Sequence, residues 1–266
     1  MAAPAMAARG RVRMPVAVSR GLLSWLRSYR RMCLWELADL RIYLPVLCSV
    51  LVLQGAGFVL GIGLLFQHIP MRAAAFVVTG VPVVNLITAG LIFEPEVVAS
   101  QRQVGSYDFI QSLPVPRSAA AAAWYTLSLA TAIPAVVLAL VTGWLRYHLT
   151  FAITPAVVPA MLLTCLTGVL MGYAIAHGIR IPTVAQLVAI TTIFVIFGFS
   201  PVMFPAAQLP GWLAAANDWL PFGSMATITR GALISQAGGL DRAYLVVSAW
   251  AVLSVLVAAR AVGHRR

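Results

Sequence analysis

Six stretches of the chain stay apolar long enough to cross a bilayer: residues 42–66, 73–93, 119–145, 155–177, 184–204 and 243–262. A spanning helix needs about 20 largely apolar residues. Lipid offers the backbone no hydrogen-bond partner, so each run is expected to be helical. Barrel strands would alternate apolar and polar residues, and these runs do not. The pattern therefore predicts an all-α membrane protein with six transmembrane helices. Ahead of the first run, residues 19–41 keep a different rhythm. Leu22, Leu26, Tyr29, Cys33, Leu37 and Leu40 recur every three or four positions. Arg20, Arg27, Arg30, Arg31 and Asp39 sit mainly on other faces, and Trp25 and Trp35 are amphipathic anchors. This reads as an N-terminal amphipathic interfacial helix, with Pro45 as a break before the first span. Residues 1–18, rich in Ala, Pro and Arg without a period, read as a disordered cytoplasmic tail, and 263–266 as a short second tail.

Composition agrees with the pattern and removes other classes. Apolar residues make up 61% of the 266 and charged ones 9%, against about 45–50% and about 25% in soluble domains. A soluble globular domain, a nucleic-acid-binding domain and a disordered regulator are excluded. The net charge of +11 comes from 18 basic residues, all of them Arg. With the N-terminus inside, fourteen of these fall on the cytoplasmic side. Only Arg72, Arg146, Arg230 and Arg242 fall outside. The positive-inside rule then gives N-in, C-in, and the charge is explained as an orientation signal rather than a polyanion site. The absence of Lys excludes a P-loop ATPase, a protein kinase and a Schiff-base enzyme. An all-Arg, Ala-rich bias points to a GC-rich bacterium, and so to its cytoplasmic (inner) membrane.

Two segments break the pattern. Residues 94–118 form the most polar interior stretch, a cytoplasmic loop with room for a short helix that ends at Pro114 and Pro116. Residues 205–241 lie outside, yet are rich in Leu, Trp and Ile. Such a loop is costly in water. It should dip into the outer leaflet as short re-entrant helices broken at Pro210 and Pro221, with Trp212 and Trp219 at headgroup level.

Chemistry-bearing residues are sparse inside the spans. All acids fall at span ends or in loops, which argues against an ion-coupled carrier. Gln54, Asn85, Thr88 and Thr191 are better suited to holding helices together than to binding ligand. His68, His148, His177 and His264 lack metal-ligand spacing. Cys33, Cys48 and Cys165 form no C-x-x-C. Gly57-xxx-Gly61 and Gly168-xxx-Gly172 read as close helix-packing positions. No catalytic or metal site is expected. A translocator without ion-coupling groups or a nucleotide site must borrow its energy.

Two motifs resemble a known family. Gln101-Arg102-Gln-Val-Gly105-Ser106-Tyr-Asp108-Phe-Ile-Gln-Ser-Leu-Pro114-Val-Pro116-Arg117 is similar to the E-R-x-x-G-T-x-E-x-L-x-x-x-P-V-S-R segment of type-2 ABC exporter permeases. Pro205-Ala-Ala-Gln-Leu209-Pro210-Gly-Trp212-Leu213, then Leu220-Pro221, then Arg230, is similar to that family's P-x-x-x-L-P-x-W-L, N-P and R series. Gln101, Ser106, Asp108 and Leu220 depart from the pattern, and Gln101 removes a charge that could pair with an ATPase.

The resemblance implies a permease domain over 42–262 that dimerises with a second copy or a sister permease. It implies two copies of a separate ABC ATP-binding subunit, which would bind the ATP and Mg; this chain would bind no cofactor. It implies ATPase coupling through the 94–118 loop, by Glu94, Glu96, Gln101, Arg102, Gly105, Ser106, Asp108 and Arg117. It implies an outer gate over 205–241 at Pro205, Leu209, Pro210, Trp212, Leu213, Pro221 and Arg230. The expected substrate is a drug, lipid or glycolipid moved outward, with membrane lipids as neighbours and no nucleic acid. The competing reading is a polytopic membrane enzyme acting on lipid-like substrates, for which His148, His177 and Ser224 would be the residues to replace.

Overall fold

A computed structural model describes residues 21–65, 70–234 and 239–263. The expected tail at 1–18, His68, and residues 264–266 lie outside these. Every regular element among the described residues is helical. In order they are α1 (Leu22–Leu40), α2 (Leu44–Leu65), α3 (Met71–Leu91), α4 (Phe93–Gln103), α5 (Ser106–Ser112) and α6 (Arg117–Tyr147). There follow α7 (Val157–Gly178), α8 (Pro182–Phe199), a single 3-10 turn at Ala206–Gln208, α9 (Gly211–Asn217), α10 (Pro221–Ile234) and α11 (Leu240–Gly263). Six helical stretches are long and apolar enough to cross a membrane: Leu44–Leu65, Met71–Gln103, Arg117–Tyr147, Val157–Gly178, Pro182–Phe199 and Leu240–Arg260. This is the architecture of a multi-pass membrane protein, and it matches the expected number of spans.

The centre of the bundle is α3. Of its most apolar 18-residue window, 83% is buried, against 22% for α2 and α8. It packs against α2, α6, α7 and α10, and runs into α4. In lipid, helices gain little by hiding apolar side chains from neighbours that are equally apolar. Close approach through small residues does the work instead. The α3–α7 crossing shows this at Gly90, Gly168 and Gly172, where a Cβ on Gly172 would fall on the Gly90 carbonyl. Gly168-xxx-Gly172 is therefore a packing motif, as expected. Gly57-xxx-Gly61 is not: Gly57 meets only the Leu53 side chain of its own helix, and a Cβ on Gly61 would meet nothing within 4 Å. The glycines of α2 that do approach neighbours are Gly55, against Asn85 and α6, and Gly63, against Arg146 and Tyr147. The GxxxG spacing was real, but its face of α2 points away from the protein.

Three further differences have local causes. The second apolar run does not stop at residue 93. After a kink at Ile92 it continues as α4, so 94–118 is two short helices rather than a loop. The fifth helix ends at Phe199, not 204, because Ser200 is extended (ψ 142°) ahead of Pro201, as the pre-proline position favours. The break before α2 lies at Arg41–Tyr43, while Pro45 sits in the first turn of α2, where its missing N–H costs nothing.

The α1 helix packs along α6. Trp25 Nε1 donates to Ser118 Oγ (3.0 Å), and the Tyr29 hydroxyl pairs with Thr126 Oγ1 (2.7 Å). Its buried stripe is Met32, Glu36 and Leu40. Half of the apolar series read from the sequence points elsewhere: Leu22, Leu26 and Leu37 are exposed. The face that docks on the bundle thus carries an acid.

Candidate functional site

The α4–α5 corner gathers most of the residues expected in the coupling segment. Gly105 makes it possible by taking a left-handed conformation (φ 75°) between the two helices, which glycine does without steric cost. The corner is held by Arg102. Its guanidinium donates to the carbonyls of Ala176 (2.9 Å), Ile179 (2.8 Å) and Arg180 (3.1 Å), and lies 4.6 Å above the Tyr107 ring. Those carbonyls are the orphan acceptors left where α7 ends, the negative pole of that helix. Glu96 is exposed and accepts from Gln186 Nε2 of α8 (2.6 Å). Ser106 Oγ donates to the Gln101 carbonyl (3.3 Å). Gly105, Asp108 and Arg117 are exposed, and so are Val104 and Phe109 beside them. Thus Glu96, Gln101, Arg102, Gly105, Ser106, Asp108 and Arg117 reach one surface at least in part. Glu94 does not.

Glu94 is buried instead, in the first turn of α4. It is only 3% exposed and lies within the continuous apolar stretch Met71–Gln103. It lines a cavity of about 100 Å³ whose walls come from α1, α4, α5, α6 and α7. Glu36 lines the same cavity and is 9% exposed. Burial pushes its carboxyl up to about 7, and Asp39 adds to the rise. Gln101, Tyr107, Arg117, Trp124, Tyr173 and His177 complete the polar lining. His177 stacks on Tyr173 (ring centroids 4.0 Å apart), and its Nδ1 lies 3.1 Å from the Tyr173 carbonyl. None of Glu36, Tyr107, Trp124 and Tyr173 was singled out for chemistry from the sequence. One signal was available: Glu36 lies four residues from both Met32 and Leu40, and so on their face of the helix.

At the opposite end, the apolar segment after α8 folds into the expected short helices. Pro210 precedes α9 and Pro221 opens α10. Pro205 and Leu209 flank the 3-10 turn. Trp212 and Trp219 are exposed, Leu213 half-buried and Pro221 buried. Most of α10 is buried against α3, α7 and α11. Its Arg230 is 5% exposed. The guanidinium donates to Thr79 Oγ1 (3.1 Å) and to the carbonyls of Phe76 (3.3 Å) and Val202 (2.9 Å). It lies 3.5 Å above the Phe76 ring. Burial lowers its pKa to about 10, which still leaves it cationic at neutral pH. Arg230 lines a cavity of about 620 Å³ with Asp218, Ser224, Thr227 and Arg242. Arg242 and Asp218 form an exposed pair at 3.7 Å.

No protein-family model matches the chain, and no curated protein matches it in sequence.

Proposed function

We propose that the chain is the transmembrane permease subunit of an ATP-driven exporter of the type-2 ABC class, moving a hydrophobic or amphiphilic substrate outward across a bacterial cytoplasmic membrane. The observation that carries the reading is the α4–α5 corner. Two short helices at one end of the second and third spans present Gly105, Asp108 and Phe109 outward, while Arg102 ties them to the end of α7. A push on this corner is delivered directly to a spanning helix. That is the mechanical connection a permease without its own nucleotide site needs. The exposed apolar Val104 and Phe109 suit a protein partner.

The N-in, C-in orientation belongs to this reading, as do the interfacial placement of α1 and the re-entrant placement of α9 and α10. A buried half-length helix such as α10 at the outer end suits a gate. The exposed apolar faces of α2, α8 and α11 leave room for lipid and for a second permease. ATP and Mg would be held by the partner ATPase.

Copurification tests the proposal. The tagged chain should bring down a P-loop ATPase, and reconstituted ATP hydrolysis should fall at least tenfold with Phe109→Asp and Asp108→Arg together. Transport in proteoliposomes containing this chain alone would refute the reading.

A further inference from the structure

The cavity beneath α1 contains three polar groups whose chemistry nothing in the fold completes. Glu36 Oε2, Glu94 Oε2 and Trp124 Nε1 each line it, each belongs to a side chain at least nine-tenths buried, and none has a hydrogen-bond partner. Buried polar groups are nearly always satisfied, and buried charges are paired. Two acceptors and one donor around one small volume therefore define the complement of a ligand. The acceptors ask for a cation. The donor asks for a neighbouring oxygen. The rings of Tyr107, Trp124 and Tyr173 line the same volume. No group of three potential metal ligands occurs among the described residues, so the chemistry turns from a metal ion to an organic cation.

We propose that this cavity binds an amino-alcohol-type cation, its ammonium group between Glu36 and Glu94 and its oxygen accepting from Trp124 Nε1–H. The groups that set the local charge are Glu36 with nearby Asp39 on α1, Glu94 on α4, Tyr107 on α5, Arg117 on α6, and Tyr173 and His177 on α7. Arg117 is exposed and sits at the rim. Two acids against one wet arginine leave a place for one further positive charge. The cavity is larger than a single water requires, yet too small for a whole drug. It therefore takes either a free amino alcohol or the cationic end of a larger amphiphile. Because α1 supplies one carboxylate and α4 the other, an occupant ties the leading helix to the corner described above. The inference rests on the cavity alone, and its test needs neither an ATPase nor transport.

The full chain is placed in phosphatidylglycerol nanodiscs, which carry no amine, and titrated at pH 8. Choline should bind saturably, at least tenfold more tightly than its uncharged isostere 3,3-dimethylbutan-1-ol. That comparison uses only the wild-type chain. Glu36→Gln and Glu94→Gln should each weaken choline at least tenfold. Trp124→Phe should weaken choline but leave tetramethylammonium, which lacks the oxygen, unchanged. Affinity should fall as the Glu36 carboxyl, raised by burial to about 7, takes up a proton between pH 8 and pH 5.5. N-dodecyl-N,N-dimethylethanolammonium distinguishes the sources. Tenfold tighter binding than choline identifies the head of a membrane amphiphile, and equal or weaker binding identifies a free amino alcohol. Equal binding of choline and dimethylbutanol, or full affinity in both glutamine variants, overturns the proposal.

Discussion

Both ends of the bundle are fastened by an arginine lying over an aromatic ring and donating to carbonyl oxygens. Arg102 sits over Tyr107 and closes the end of α7. Arg230 sits over Phe76 and binds Thr79, Phe76 and Val202. The planar, always-charged guanidinium suits both sites, because several acceptors can be met at fixed angles by one group. What differs is water. Arg102 is half-buried at a helix end, so solvent can replace part of what it does. Arg230 is buried within α10 and only 5% exposed, so water can do less in its place. The same side chain is a clamp at the α4–α5 end and a keystone at the α10 end.

The sharpest way to break this contrast is to remove each arginine in turn. Arg230→Ala removes the donor to Thr79, Phe76 and Val202 in a buried site, which should cost about 3 kcal/mol or more. The readout is loss of the folded population in a detergent melt. Arg230→Lys should recover only part, since one ammonium cannot span the same acceptors. Next comes the helix crossing beside these clamps. Gly172→Val must push α7 from the Gly90 carbonyl and should cost about 1–3 kcal/mol. Gly61→Val, on the open face of α2, should be nearly neutral in the same assay. Arg102→Ala should cost less than Arg230→Ala, about 1 kcal/mol, because water reaches the freed carbonyls. It should instead speed hydrogen exchange at the end of α7 and across α4–α5. If the two alanine variants destabilise equally, the solvent argument is wrong.

The smallest expected effect is a pH dependence confined to α1. Glu36 has its carboxyl raised from the ordinary 4.5 to about 7 by burial. A raised acid means that the docked state holds a proton the undocked state has released. Its contribution to docking is therefore complete below about pH 4.5 and is lost as pH rises through about 7. Hydrogen exchange of α1, corrected for intrinsic rates, should be faster at pH 8 than at pH 5.5. Glu36→Gln should flatten that difference. A dependence that survives the substitution would assign the effect to another group.

The elements were legible where one local rule governs them. Spans follow from unbroken apolar runs. The short outer helices follow from Pro210 and Pro221, because proline can open a helix but not continue one. The α4–α5 corner was half legible. Gly105 marks its turn and the proline pair its end, but polarity suggested a loop where the backbone is helical. Side-chain partners were not legible. Arg102 and its acceptors are 74 to 78 residues apart, and Arg230 and Thr79 are 151 apart. No periodicity carries such information.

The apolar runs and the asymmetry of the arginines are properties each residue carries into any fold. They determined an all-helical, six-span chain and its expected orientation by themselves. Which face of each helix meets the others is a collective outcome. The Gly-xxx-Gly pair of α2 faces outward, the stripe of α1 that docks contains Glu36, and Glu94 turns inward. Only the packed bundle decided those rotations, because the burial of a side chain depends on every neighbour that closes around it. The cavity with an unpartnered oxygen on each of Glu36 and Glu94 exists for the same reason: five helices meet there, and none of them alone encodes it.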